Sequence, residues 1–155
     1  MMRPLLRRLR QLSPPDRWLL LEALLHLVTA QVALRYLPFR WLVWWFQRPT
    51  RRLELAGEAR QAAIKKVRLA IHYTNLWLGL KAVCFPRSIA AQTMLRRRGV
   101  STTLYYGAAT LPDLGKLTAH VWLQDGDTGI VAHENSSQFQ ILARYSPTQL
   151  APTQQ

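Results

Sequence analysis

The chain has 155 residues, 49% of them hydrophobic and 19% charged, with 21 Lys and Arg against 8 Asp and Glu. That length fits one compact domain, or a domain with a helical appendage, and the apolar fraction excludes a disordered chain. A formal net charge of +13 points to an anionic partner, whether acidic peptide, nucleic acid or membrane surface, and one cysteine excludes a disulfide framework or a cysteine-based zinc finger.

Residues 1–12 form a basic lead-in with Arg3, Arg7, Arg8 and Arg10. No short apolar core with a small-residue cleavage site follows it, so no secretory signal is expected. Together with the lone thiol, this suggests a reducing, cytoplasmic setting. Ser13-Pro14-Pro15-Asp16 then opens a helix, since Ser13 can cap and proline is tolerated in the first turn. Trp18, Leu21, Leu25, Val28 and Val32 recur at three- and four-residue steps and are expected to face a core. The run from Trp18 to Leu34 resembles a membrane span but is interrupted by Glu22, His26 and Gln31. A span needs about 20 residues with few charges. It is read as a soluble amphipathic helix, with peripheral membrane contact as the lesser reading.

Pro38 ends this helix, and Phe39 to Phe46 is an aromatic knot with three tryptophans in five residues. No polar groups are spaced between them, so a short helix plugging a core is preferred to a base-stacking platform. Residues 47–52 read as a loop. A second long helix is expected over 58–78, with Ala63, Val67, Leu69, Ala70, Tyr73, Leu76 and Trp77 on its apolar face and Arg60, Lys65, Lys66 and Arg68 on its wet one. Lys81-Ala82-Val83 makes a break. A further helix runs from Cys84 to Arg98 and stops at Gly99, with Arg96, Arg97 and Arg98 at the negative end of its dipole.

Past Gly99 the period becomes strand-like. Thr102 to Tyr106 and Thr118 to Leu123 are rich in β-branched and aromatic residues, Asp125-Gly126-Asp127-Thr128-Gly129 is a hairpin turn into Ile130-Val131-Ala132, and a last strand is placed at 139–142. The Pro- and Gln-containing tail reads as disordered. There are no internal repeats. Helices followed by a small antiparallel sheet make an α+β fold. The organisation expected is a basic, Trp-rich helical region over 1–55 packing on a core over 56–145, with a disordered tail over 146–155.

Cys84 opens a predicted helix, where the dipole and unpaired amides favour a thiolate and could hold an oxyanion. Alone this is weak, since lone cysteines are usually small buried apolar residues. His120 alternates with Thr118 and Trp122 on one face of its strand and could take the thiol proton, although a strand histidine is commonly structural. His133 competes with it; His26 and His72 look structural. Glu134, beyond the strand that neighbours the His120 strand, is placed as the acid that orients the imidazole. Asp125 and Asp127 lie at the turn tip, and Asp113 reads as a loop acid. Arg87 either contacts an acidic ligand or supports the helix start. Trp122 is a candidate substrate contact, and Arg7, Arg8 and Arg10 are candidate contacts to an acidic substrate or partner. No His-x-x-x-His or paired-cysteine spacing occurs, so neither metal nor cofactor is expected.

Three segments carry a family resemblance: Cys84-Phe85-Pro86-Arg87-Ser88-Ile89-Ala90, then Leu95-Arg96-Arg97-Arg98-Gly99-Val100, then Ala119-His120-Val121-Trp122-Leu123. In this order they resemble the transglutaminase-like cysteine peptidases of lasso-peptide biosynthesis, chiefly over residues 77–145. The resemblance implies a papain- or transglutaminase-like core with the cysteine at a helix N-terminus packed on a small antiparallel sheet. It also implies removal of the leader from a ribosomal precursor, so that an asparagine-synthetase-like cyclase can close the macrolactam. Carried over, Cys84 is the nucleophile and His120 the base. The third member is usually an aspartate on the following strand, and Glu134 stands in the assigned place. A separate small leader-recognition protein is implied as partner.

Two rivals remain open. One is a basic, non-catalytic module binding nucleic acid or anionic membrane through the N-terminal arginines and Trp41, Trp44 and Trp45, with steep salt dependence. Under the peptidase reading no nucleic acid is expected. The other is a transglutaminase or amidase using the same residues on another substrate, because fold and triad leave the substrate open.

Overall fold

A computed structural model describes residues 13–49, 53–77, 84–111 and 115–147. Helix α1 is Pro14–Tyr36, α2 is Phe39–Phe46, α3 is Gly57–Trp77 and α4 is Cys84–Arg97. Strands β1, Thr103–Leu111, β2, Lys116–Asp125, β3, Thr128–Val131, and β4, Gln140–Tyr145, follow. They form one antiparallel sheet in the order β3-β2-β1-β4, so the molecule is α+β, as the change of period predicts.

Helix α4 lies at the centre. Pro86 and every residue from Ser88 to Leu95 are buried, because β2 packs on one side and α1 and α3 on the other. Its end is a Schellman turn: Gly99 N–H donates to the Arg96 carbonyl at 3.1 Å and Val100 N–H to the Leu95 carbonyl at 3.0 Å. Gly99 sits at φ +78°, and an added Cβ would stand 2.4 Å from the Leu53 carbonyl oxygen, so glycine is needed there twice over.

Alternation along β2 sorts its side chains. Leu104 pairs with Leu123 and with Tyr145, whose ring meets Phe46 of α2 with centroids 6.0 Å apart. Val121, Leu123 and Asp125 therefore face the helices. The Asp125 carboxylate accepts from Arg60 Nε at 2.9 Å and Nη2 at 2.6 Å, fastening α3 to the sheet. His120 and Trp122 leave β2 on the other face, where Trp122 stacks on Tyr105 at 5.6 Å and Arg144 covers Tyr105. With β3 and β4 at opposite edges, the chain from Ala132 to Phe139 must cross the sheet. It does so over the His120 face, through a 3-10 turn at Ser136–Gln138.

The first helix corrects an expectation. Trp18, Leu21, Leu25, Val28 and Val32 do not face the core; they are 70%, 53%, 60%, 41% and 51% exposed. The packed stripe is Ala23, Leu27 and Ala30, with Leu19, Leu20, Ala33 and Leu34 partly buried beside it. Both faces of α1 are apolar, so periodicity alone could not choose between them, and the small alanines let α4 approach closely. In α3, similarly, Ile64, Val67, Ala70 and Ile71 are buried, while Leu69, Tyr73 and Leu76 are exposed. In α2, Leu42 and Phe46 plug the core as expected, whereas Trp41, Trp44 and Trp45 remain exposed. The break at 81–83 and the arginines before Ser13 lie outside the described residues.

Candidate active site

Cys84 is the first residue of α4, half-buried and packed against the core. Phe85 pins this helix end: its ring lies 6.1 Å from Phe39 and 6.3 Å from Phe46. One turn on, Ser88 Oγ donates to the Val121 carbonyl at 3.4 Å, and another turn on, Gln92 Nε2 donates to the Thr102 carbonyl at 3.4 Å. Thr102 adjoins the register pair Thr103 and Gln124, so α4 runs along β2 from the Val121 level towards its C-terminal end. A helix turn rises about 5.4 Å and a strand residue about 3.4 Å. Cys84 therefore lies towards the part of β2 that carries His120.

The His120 ring is tightly placed. It stacks on Phe139 at 4.7 Å and on Trp122 at 5.7 Å, and its Nε2 lies 2.7 Å from the Ala132 carbonyl oxygen. A carbonyl only accepts, so Nε2 carries the proton and, in the neutral ring, Nδ1 is the free base. Gly107 is the register partner of His120. A Cβ there would come within 2.9 Å of the Trp122 ring and 3.0 Å of the Gln140 carbonyl, so the bare backbone makes room for the indole beneath the imidazole. No hydrogen bond joins Cys84 to His120 among the described residues; the structure links them through the Ser88–Val121 contact, one residue along the strand.

The acids fall out differently from expectation. Glu134 is exposed in the turn after β3, and the partner on the His120 ring is the Ala132 carbonyl. The β2–β3 ladder ends at the Leu123–Val131 pair, where the chain turns away through a positive φ of 56° at Ala132, before Glu134 can pair across it. Asp125 is committed to Arg60, whose pKa is raised first by that hydrogen bond. Asp127 is exposed at the hairpin tip, and Asp113 lies outside the described residues. His133 stands over Gly129, where an added Cβ would meet its Cγ at 2.2 Å. His72 is exposed on α3, and His26 lies beside Glu22 at 3.9 Å.

Arg87, three residues past Cys84, is half-buried, and its Nε is buried with no hydrogen-bond partner. Trp122, expected as a substrate contact, is only 2% exposed and forms the floor under His120. Sequence reasoning missed the Ala132 carbonyl, Phe139 and Gly107. Of these only Gly107, a lone glycine inside a β-branched and aromatic run, left a readable trace. Arg7, Arg8 and Arg10 lie outside the described residues. Among the described residues, no group of three or more His, Cys, Asp or Glu could hold a metal ion.

A family model described as the transglutaminase-like superfamily matches residues 33–144, from the last turn of α1 almost to the end of β4. No curated protein and no solved structure matches the chain.

Proposed function

The chain belongs to the transglutaminase-like superfamily, and from that premise we propose that it is a cysteine peptidase with Cys84 as nucleophile and His120 as base. The observation that carries this is the lone thiol at the first turn of a buried helix packed on the strand that holds a tautomer-fixed imidazole. Backbone amides at a helix N-terminus are suited to the oxyanion of an acyl-transfer intermediate. Cys84 Sγ attacks the scissile carbonyl, forming a C–S bond, while His120 Nδ1 holds the thiol proton. Collapse of the intermediate breaks the C–N bond and returns that proton to the leaving amine. Water then attacks the thioester, the same nitrogen taking its proton, and the acid product and free thiol are regenerated. Nδ1 must come within about 3 Å of the thiol for this. The contact between α4 and β2 brings the two elements together.

The substrate we propose is the leader of a ribosomal lasso-peptide precursor. The Cys84-to-Ala90, Leu95-to-Val100 and Ala119-to-Leu123 segments support it. On this reading a separate leader-recognition protein and an asparagine-synthetase-like cyclase act beside the enzyme, in the cytoplasm. Glu134 serves at most as a solvent-side acid near the site, with orientation of the ring resting on the Ala132 carbonyl.

Cys84→Ala should abolish cleavage of a precursor, read by product mass, with an unchanged circular dichroism spectrum. A fully active variant would end the peptidase reading. Alkylation of Cys84 by iodoacetamide should slow at least tenfold in His120→Ala; equal rates would dissolve the pairing. If both tests succeed with small amide substrates but no precursor is cut, the enzyme is an amidase or transglutaminase acting elsewhere.

A further inference from the structure

Helix α1 carries two apolar faces, and only one is used. Ala23, Leu27 and Ala30 pack inward, while Trp18, Leu21, Leu25, Val28, Val32 and Tyr36 make an exposed stripe that runs from the second turn to the end of the helix, with Tyr36 78% exposed. On α2, Trp41 and Trp44 add exposed indoles 6.3 Å apart. The surroundings are basic: among the described residues before position 50 there are four arginines, Arg17, Arg35, Arg40 and Arg48, against Asp16 and Glu22 as the acids. Glu22 is already engaged by Arg98, at 2.5 and 3.1 Å.

From this we infer that the exposed stripe of α1 seats the protein on the surface of an anionic bilayer, the helix lying in the interface plane. Aliphatic side chains with Trp and Tyr in one face, beside arginines, match the acyl–headgroup boundary: the rings are amphipathic, and the guanidinium groups meet lipid phosphates. By length and composition α1 could also cross a membrane. It lies on the surface instead, because its other face is locked to α4 by fully buried Ala23 and Leu27 and by the Glu22–Arg98 pair, and spanning would break both. A second copy of the chain is the poorer occupant, since two such faces would bring like charges together.

The test uses the full chain with vesicles of phosphatidylcholine alone and with one third phosphatidylglycerol. Sedimentation should show binding to the anionic vesicles only, with a blue shift of tryptophan emission. Leu21→Asp/Leu25→Asp alters exposed side chains only and should keep its circular dichroism and its cleavage of a soluble precursor, yet lose at least tenfold in vesicle binding even at low salt. Arg35→Glu should lose less, and its loss should vanish in high salt. No binding to anionic vesicles would overturn the inference. So would equal binding by the Asp variant, which would make the attraction charge alone. If light scattering shows a dimer that the Asp variant converts to monomer, without vesicle binding, the stripe is a self-association or protein-docking face, and the inference is also overturned.

Discussion

At the scale of single residues, His120 is held by neighbours that a motif does not name. Its tautomer rests on a backbone carbonyl and its plane on Phe139 and Trp122. The indole lies flat only because Gly107 has no side chain. Gly107→Ala is expected to cost about 1–3 kcal/mol, the range for overpacking, because the Gln140 backbone limits how far the site can give. Urea unfolding measures the loss, and near-UV circular dichroism reads the disturbed Trp122–Tyr105 stack. An unchanged midpoint would show that the sheet relaxes freely at this point. The histidine itself was readable from its place in a β-branched strand, and so was its sharing a face with Trp122. Its carbonyl partner was not, because no residue type announces which main-chain oxygen a fold will turn towards a ring.

At the scale of elements, α1 and α4 are joined by a small charge cluster. Glu22 accepts from Arg98 and lies 3.7 Å from Arg97 and 3.9 Å from His26. Burial works to raise the Glu22 pKa, but the Arg98 hydrogen bond and charge, with Arg97 and His26, outweigh it and hold the carboxyl below its usual range. Burial is also the main influence on His26 and pushes its pKa down; Glu22 opposes this, while Arg97 and Arg98 add to it. Both folded values are depressed, so both groups contribute stability that is full above their unfolded pKa values and lost as pH falls through the folded ones. Thermal stability should therefore decline below about pH 6.5 through His26 and again below about pH 4.3 through Glu22. Glu22→Gln should flatten the lower decline and cost about 1–3 kcal/mol at neutral pH, since Arg98 then lacks its charged acceptor. His26→Gln should remove the upper one. Melting curves across pH decide both, and two unchanged profiles would show the cluster to be solvated.

For the whole molecule, the question is whether the N-terminal half is an appendage. The proposed division at residue 55 separates α1 and α2 from the α3–α4–sheet core. Yet the family match takes in α2 and the last turn of α1, and α1 packs on both α3 and α4. Removing residues 1–55 would uncover the central helix, whose Ala91, Met94 and Leu95 are fully buried. The 56–155 fragment is expected to aggregate on expression. A soluble fragment that still cleaves precursor would establish the first half as a separable module. This is distinct from the exposed stripe of α1, whose polar substitution leaves the inner face untouched.

Much was fixed by local chemistry before any tertiary contact. Proline and glycine set the helix limits: Pro14-Pro15 opens α1, Pro38 closes it, and Gly99 closes α4. The shift from a helical to a two-residue period gave the α+β order, and Gly126-Asp127 gave the β2–β3 turn. The strands run longer than their β-branched and aromatic cores: β1 and β2 extend to Leu111 and Lys116, where Thr, Leu and Lys carry no distinctive pattern. Tertiary structure alone decided which side of an all-apolar helix is inside. Burial depends on how closely a partner can approach, so in α1 the alanine-bearing side went in and the tryptophan side stayed out. It likewise decided the acids. Asp125 is drawn to Arg60 on α3, 65 residues away in the chain, and the positive φ of Ala132, just past β3, carries Glu134 off the ladder. Residue spacing carries no information about either event, because both depend on where distant segments come to rest.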